Sequence, residues 1–304
     1  MINPTKRRFT AFLTGITLLV ITIFSPEITL GASLKETSNG ISDYEIMNPY
    51  KSVNWATFGQ YKAGLHTHTF ESDGAHSPKE MIEDLYKKNY DIASITDHDV
   101  VNISWDRKDR NPGNYLTTDR LNEINAGIDR NGRGMIGIPL TDEQSSSIEG
   151  EHVNTYWANF NNDNSATLES NIAHCQEAGG ISHINHPGGA GNYFANGQIS
   201  NEASALINDY TNLYMKYPSC VGMEILNHRY GNRKDYMLFW DNTLMNTMPE
   251  RPIWGFSSDD AHSTDSAGFN FNIMLMPQNT EKNIRYSMEN GTFYAVSLLT
   301  SNLL

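Results

Sequence analysis

The sequence predicts an α/β fold built from parallel strand–helix units, and three observations carry that expectation. Short apolar segments of strand character alternate with segments whose apolar residues recur at helical spacing. The alternation runs along the chain instead of sorting strands and helices into separate halves, as βα units require. Residues of metal-ligand type recur just after the predicted strands, and in a barrel of βα units that end is where active sites lie.

Taken in order, Ala63–His66 is the first strand. Ser77-Pro78-Lys79-Glu80 then reads as a capping box with proline at the first helical position. Met81, Leu85 and Tyr86 share one face, so this helix runs to about Lys88. Asp91–Thr96 is the second strand and ends in Asp97-His98-Asp99. Leu121, Ile124 and Ile128 mark a helix ending near Gly132, after an irregular loop from Asn102 to Asn114. A third strand, Met135–Pro139, ends in Thr141-Asp142-Glu143. Glu151-His152-Val153-Asn154 leads a fourth strand through Tyr156 and Trp157. Ser165 is the expected cap of a helix through Leu168, Ile172 and Cys175, closed by Gly179-Gly180. The fifth strand, Ile181–Asn185, ends in His186-Pro187-Gly188, and a helix with Ala203, Leu206 and Ile207 follows. Val221–Leu226 is a strand ending in Asn227-His228-Arg229. A helix around Tyr236–Leu244 precedes a strand, Ile253–Phe256, that leads to Asp259-Asp260-Ala261-His262. A strand from Phe269 to Met276, a helix from Thr280 to Glu289 stopped by Gly291, and a short strand, Thr292–Val296, complete the pattern.

Composition bounds the function. The chain has 304 residues, of which 38% are hydrophobic, enough for one large domain with its own core. The N-terminus reads as a signal peptide over residues 1–32: Lys6-Arg7-Arg8 is its basic region, Phe9–Phe24 its apolar run, and cleavage is expected after Ala32. Secretion is the first expectation and an uncleaved N-terminal anchor the second, although the run is short for a membrane span. Residues 33–58 read as a polar linker, leaving 59–304 as the folded domain. The first 32 residues hold Lys6, Arg7, Arg8 and Glu27, so the remainder carries 19 basic and 34 acidic residues, a charge of −15. Such a surface repels polyanions and argues against nucleic acid as the main partner. Cys175 and Cys220 are the only cysteines; they pair, or they remain two separate buried thiols. The composition does not speak to oligomeric state.

The chemistry begins at His66-Thr67-His68. Residues i and i+2 of an extended segment point the same way, so both imidazoles reach one ion. Asp73 follows, just before a turn-permitting glycine. Imidazole plus carboxylate suits Mn, Zn or Fe better than Ca or Mg. Read onward, the chain gives H-x-H-T-x-x-S-D-G, T-D-H-D, an isolated glutamate, E-H-V-N, N-H-P-G and D-D-A-H in that order. This ordered set resembles the PHP family, the polymerase and histidinol phosphatase domain, over about residues 60–297.

The resemblance implies a distorted seven-stranded β/α barrel, TIM-like, holding two or three divalent metal ions (Mn, Zn or Fe) at the C-terminal ends of its strands. It implies that His66, His68 and Asp260 bind one ion, that Glu143 bridges it to a second held by His152 and His186, and that Asp73, His98 and His262 hold a third. The implied reaction is hydrolysis of a small phosphate mono- or diester by attack of a metal-bound hydroxide. The candidate catalytic residues are Asp260, Glu143, His183 and Arg229. His183 is expected at the pocket mouth or in the barrel wall. Arg229 is expected as a guanidinium fork on phosphate, with Arg107, Arg110, Arg233 and Lys234 as alternatives. Asp97, Asp99 and Asp259 are expected to orient ligands, Trp105 and Tyr115 to pack or wall a substrate, and His76 and His174 to have ordinary structural roles. Relatives with this ending continue further, so the chain reads as a shortened member lacking a C-terminal β-rich addition. Two other readings remain open: an amidohydrolase-like hydrolase of a non-phosphate bond, and a metal-loaded, non-catalytic envelope module.

Overall fold

The two ends of the described chain build one sheet and its middle builds another. The computed structural model describes residues 46–298 apart from 146, 148, 162–164, 189–192, 196–197 and 229–232. The expected signal peptide, the linker up to residue 45 and Arg229 therefore lie outside the described residues. In chain order the elements begin with β1 (Gly59–Gly64), α1 (Pro78–Lys87), β2 (Ile92–Ala93), α2 (Thr118–Ala126), β3 (Ile136–Gly137) and β4 (Asp142–Gln144). They continue with β5 (Val153–Tyr156), α3 (Leu168–Glu177), β6 (Ile181–Ile184), β7 (Phe194–Ala195), β8 (Gln198–Ile199) and α4 (Asn201–Lys216). The last are β9 (Cys220–Asn227), α5 (Arg233–Thr247), β10 (Trp254–Ser258), β11 (Asn270–Met276), α6 (Glu281–Asn290) and β12 (Phe293–Ser297).

The first sheet has the order β12-β11-β1-β2-β3 and the second β10-β9-β6-β5-β4, with β7 and β8 as a separate hairpin. This corrects the expectation of a seven-stranded barrel, because the ladders do not close. Among the described residues the two sheets are joined by isolated bridges, Thr67 to Ala261 and His98 to Glu143 in parallel and Asn102 to Thr141 antiparallel. Parallel order is also incomplete. β5 runs antiparallel to both β4 and β6, and β11 antiparallel to β1 and β12. The connection from β4 to β5 is too short to hold the crossover that a parallel pair needs, so those strands return as a hairpin.

Local chemistry explains the helix ends. Ser77 Oγ accepts from the Glu80 N–H (3.2 Å) while the Glu80 carboxylate accepts from the Ser77 N–H (2.9 Å), the expected capping box. Thr167, not Ser165, caps α3, accepting from the Ser170 N–H at 3.0 Å. α2 stops at Gly127, in the left-handed conformation, earlier than the apolar spacing suggested; Ile128 belongs to a separate 3₁₀ turn. One core cluster gathers Met81, Ile82, Leu85 and Tyr86 of α1 with Trp105, Ile124 and Phe271. A second packs α3, α4 and α5 on β6 and β9. The third draws Leu65, Ile92, Tyr156, Ile181, Val221, Phe256 and Met274 from both sheets. Burial at about 25 cal/mol per Å² of apolar surface makes this shared cluster the main force holding the sheets together, since bridges between them are few.

Candidate metal centre

Beyond β1 the extended segment Leu65–Thr69 carries His66 and His68, both buried, with their Nε2 atoms 3.0 Å apart. The His68 N–H donates to Ala261 O (2.9 Å), which ties this segment to the turn after β10. A Cβ on Gly74 would meet the His68 carbonyl at 2.8 Å, so glycine is what lets the loop fold back beside the histidine. Asp260 follows β10 and His186 follows β6, at φ +50° and +23°. Non-glycine residues seldom adopt left-handed backbone, and here it occurs where the strands stop and the chain turns over the pocket.

Glu143, fully buried on β4, stands at the middle. Its Oε2 lies 3.2 Å from His66 Nε2, 3.2 Å from His68 Nε2 and 3.0 Å from His98 Nδ1. Its Oε1 lies 3.1 Å from His152 Nδ1 and 3.3 Å from His186 Nε2. Asp260 Oδ1 is 3.3 Å from His66 Nε2 and 3.1 Å from His68 Nε2. Asp73 reaches His262 Nε2 at 3.3 Å and His98 Nε2 at 3.6 Å. The structure thus brings together His66, His68, Asp73, His98, Glu143, His152, His186, Asp260 and His262. Three overlapping groups have donor atoms within 4.8 Å of one another: His68, Asp73, His98 and His262; His66, His68 and Glu143; His98, Glu143 and His152.

The donor set fits divalent cations. Glu143 Oε2, Asp260 Oδ1 and His98 Nδ1 are buried without a hydrogen-bond partner, and such groups are costly unless something satisfies them. Donor separations of 3.0–3.3 Å are edges of a polyhedron with bonds of about 2.1 Å, the length of Zn–N contacts. Electrostatics agree. Burial alone would keep every group neutral, but it is overruled. Asp260, Glu143 and Glu224 raise His66 well above the ordinary imidazole range, and hydrogen bonds to Asp260 and Glu143 raise His68 to about 9. Against the same burial, His66 and its neighbours hold Glu143, Asp260 and Glu224 below the carboxylate range. Positive charge is thus favoured among these carboxylates, and divalent cations would supply it while leaving the imidazoles neutral to coordinate.

The remaining candidates sort by contact. Asp97 accepts from Thr69 N–H (2.6 Å), Thr69 Oγ1 (2.7 Å) and Ser72 Oγ (2.8 Å), holding the loop that carries Asp73. Asp99 accepts from Ser145 N–H and Oγ, and Asp259 from Phe269 N–H, Asn270 N–H and Tyr90 OH. All three hold loops beside the cluster, whereas the sequence reading has them orienting the ligands themselves. His183 is in the wall, not at the mouth: fully buried, stacked on Phe256 at 4.5 Å, with burial lowering its pKa. Its link to the centre runs through Glu224, 3.7 Å from its Nε2. Arg107 pairs with Asp109 and Arg110 with Glu71. Lys234 is exposed. Trp105 is packed in the core, as is Tyr115, whose hydroxyl burial and Glu71 push up. The His174 ring lies edge-on to Phe160, and the backbone carbonyl of His76 accepts from the Phe70 N–H. Cys175 and Cys220 are separate, free, buried thiols.

Sequence reasoning missed two residues. Asn185 donates to Glu143 Oε1 (2.7 Å), and Glu224 accepts from His66 Nδ1 (2.8 Å). The signal for Glu224 was present: a lone carboxylate inside the apolar run Val221–Leu226 needs a buried partner.

A two-domain protein from Bacteroides vulgatus, containing a predicted PHP-like metal-dependent phosphoesterase, superposes with a TM-score of 0.53 at 15% identity. The alignment covers 79% of this chain and 66% of that one. The fold is PHP-like. A 57-residue stretch is 42% identical to the DNA polymerase/3'-5' exonuclease PolX of Bacillus subtilis, covering 19% of this chain and 10% of that protein. This chain spans only part of the length of the proteins it matches. The lesion-specific endonuclease PfuEndoQ of Pyrococcus furiosus overlaps more loosely, with a TM-score of 0.44 at 16% identity over 79% of this chain and 58% of that one. No protein-family model matches the chain.

Proposed function

We propose that this protein is an exported, metal-dependent phosphoesterase that hydrolyses small phosphate mono- or diesters. The observation that carries the reading is the convergence of three imidazole nitrogens, from His66, His68 and His98, on one otherwise unpartnered oxygen of Glu143. His66, His68 and Asp260 would hold one cation, Glu143, His152 and His186 a second, and Asp73, His98 and His262 a third. Mn, Zn and Fe all suit these donors. Bound there, such cations lower the pKa of water and neutralise phosphate oxygens. Glu143 offers an oxygen to each side of the cluster and so fixes the spacing of its two halves. Asp73 is half-exposed at the rim of the cluster, where an incoming ester would meet it first. Asp97 keeps the Asp73 loop in place, and Asn185 orients the Glu143 carboxylate. Arg229 remains the proposed phosphate fork. The basic and apolar pattern of residues 6–24 supports export. No helix among the described residues is long and apolar enough to cross a membrane.

The test is nitrophenol release from a nitrophenyl phosphate monoester and the matching diester. The protein is stripped with chelator and reloaded with Mn, with Asp260→Ala as control. Release from either ester, lost in the variant, supports the proposal. No release with metal bound refutes it. The PolX stretch favours a nuclease as a second reading, so a single-stranded oligonucleotide serves as a third substrate. The acidic surface predicts slower attack on it than on the small diester.

A further inference from the structure

Glu224 is buried on β9, on a different strand from every candidate ligand, yet it touches two of them. Its Oε1 lies 2.8 Å from His66 Nδ1. Its Oε2 accepts from the His186 backbone N–H at 2.9 Å and from Asn227 Nδ2 at 2.7 Å. A carboxylate only accepts, so the imidazole proton of His66 must sit on Nδ1. The free lone pair is then on Nε2, the atom that faces His68, Glu143 and Asp260. The second oxygen pins the turn at His186, whose φ of +23° needs such an anchor.

We infer that Glu224 is the positioning residue of the metal centre: it sets the tautomer of His66 and the backbone of His186, and so prepares donors from two other strand ends to receive cations. The inference rests on the reading of the cluster as a metal site, but not on the reaction that the site performs.

The isosteric variant Glu224→Gln separates orientation from packing. Its amide oxygen keeps the two donors at the Oε2 position. Its NH₂ then faces His66 Nδ1, moving the ring proton to Nε2 and blocking coordination there. Glu224→Asp keeps the charge but falls a methylene short. Asn227→Ala removes a donor to the same carboxylate without altering the contact to His66.

The full chain of each variant is stripped, and zinc affinity and stoichiometry are measured by competition with a chromophoric chelator. Melting of the metal-free proteins is measured alongside. E224Q and E224D should each lose about 10- to 100-fold in zinc affinity, the usual consequence of removing a partner that orients a ligand. Metal-free E224Q should melt close to wild type. Asn227→Ala should melt lower while binding zinc nearly as wild type does. Wild-type affinity in E224Q, or full affinity in E224D, would overturn the inference; the latter would mean that charge, not position, matters. Should E224Q not fold, E224D decides alone. Wild-type protein that binds zinc but releases no nitrophenol sinks the proposed function and leaves this inference standing.

Discussion

Replacing Asp97 by alanine tests whether the loop from Thr69 to Asp73 is held as the structure shows. The carboxylate is buried and accepts from Thr69 N–H, Thr69 Oγ1 and Ser72 Oγ. Ser72 lies partly open and can turn to water, but Thr69 is fully buried and both its donors would be stranded. Each stranded donor costs about 1–3 kcal/mol. Against this, removing Asp97 also relieves the cost of burying its charge, which already raises its pKa. A net loss of about 3 kcal/mol follows. In a domain of this size each kcal/mol moves the melting temperature by about 2–4 °C, so D97A should melt about 6–12 °C below wild type. The melts are run in chelator, so that metal loss does not enter. Metal titration of the same variant should then show weaker binding by the group that includes Asp73. A metal-free melting point within about 2 °C of wild type, with full metal uptake, would refute the reasoning.

Four further outcomes follow from the same contacts. His98→Ala, which removes a donor shared by Glu143 and Asp73, should lower bound metal by one ion and cut ester turnover by at least about 10-fold; metal analysis and nitrophenol release check both. Restoring cation to about 100 times its Kd should stabilise the stripped protein by about 2.7 kcal/mol, and an unchanged melting curve would speak against the centre. The Glu83 carboxyl is held below its usual range by its hydrogen bonds to Arg120, at 2.7 and 3.0 Å. Its contribution is therefore complete above the ordinary value of 4.5 and fades as the pH falls below it. E83Q should cost about 1 kcal/mol at neutral pH and progressively less in acid, read from denaturant midpoints at each pH. A Cβ at Gly222 would sit 2.1 Å from Trp254 O, so Gly222→Ala should force β9 and β10 apart at a cost of about 3 kcal/mol, seen in the same unfolding assay.

The gathering of the candidate site could be read in advance because its residues share a rule. His66, His186 and Asp260 follow strands and Glu143 lies on short β4, and strand ends converge in a βα architecture, so they meet despite their distance in sequence. The ring of seven strands is what the resemblance implies, and hydrophobic pattern, which gives strand positions but not strand directions, offers no check on it. Nothing in Glu143 or Asn154 announces that β4 and β5 return as a hairpin. β2 and β3 are two residues each, although Ser94, Thr96 and Ile138 still donate their backbone N–H to the neighbouring segments. Ser165 and Thr167 are equally competent caps, and only the backbone path chose between them. Glu224 was overlooked because a carboxylate that reaches a ligand from behind carries no spacing signature of its own.

The order of assembly is written in the sheet topology. β1 pairs with β11, more than two hundred residues later, whereas the second sheet is made from a continuous middle segment. As the chain is made from its N-terminus, the middle sheet can pair while β1 still waits with an open edge and His66 and His68 lack their Asp260 partner. Contacts of such long range form late. The pocket is therefore complete only once the segment carrying Asp260 and His262 has been made, so any cations it takes up would be acquired by the nearly finished chain rather than the growing one.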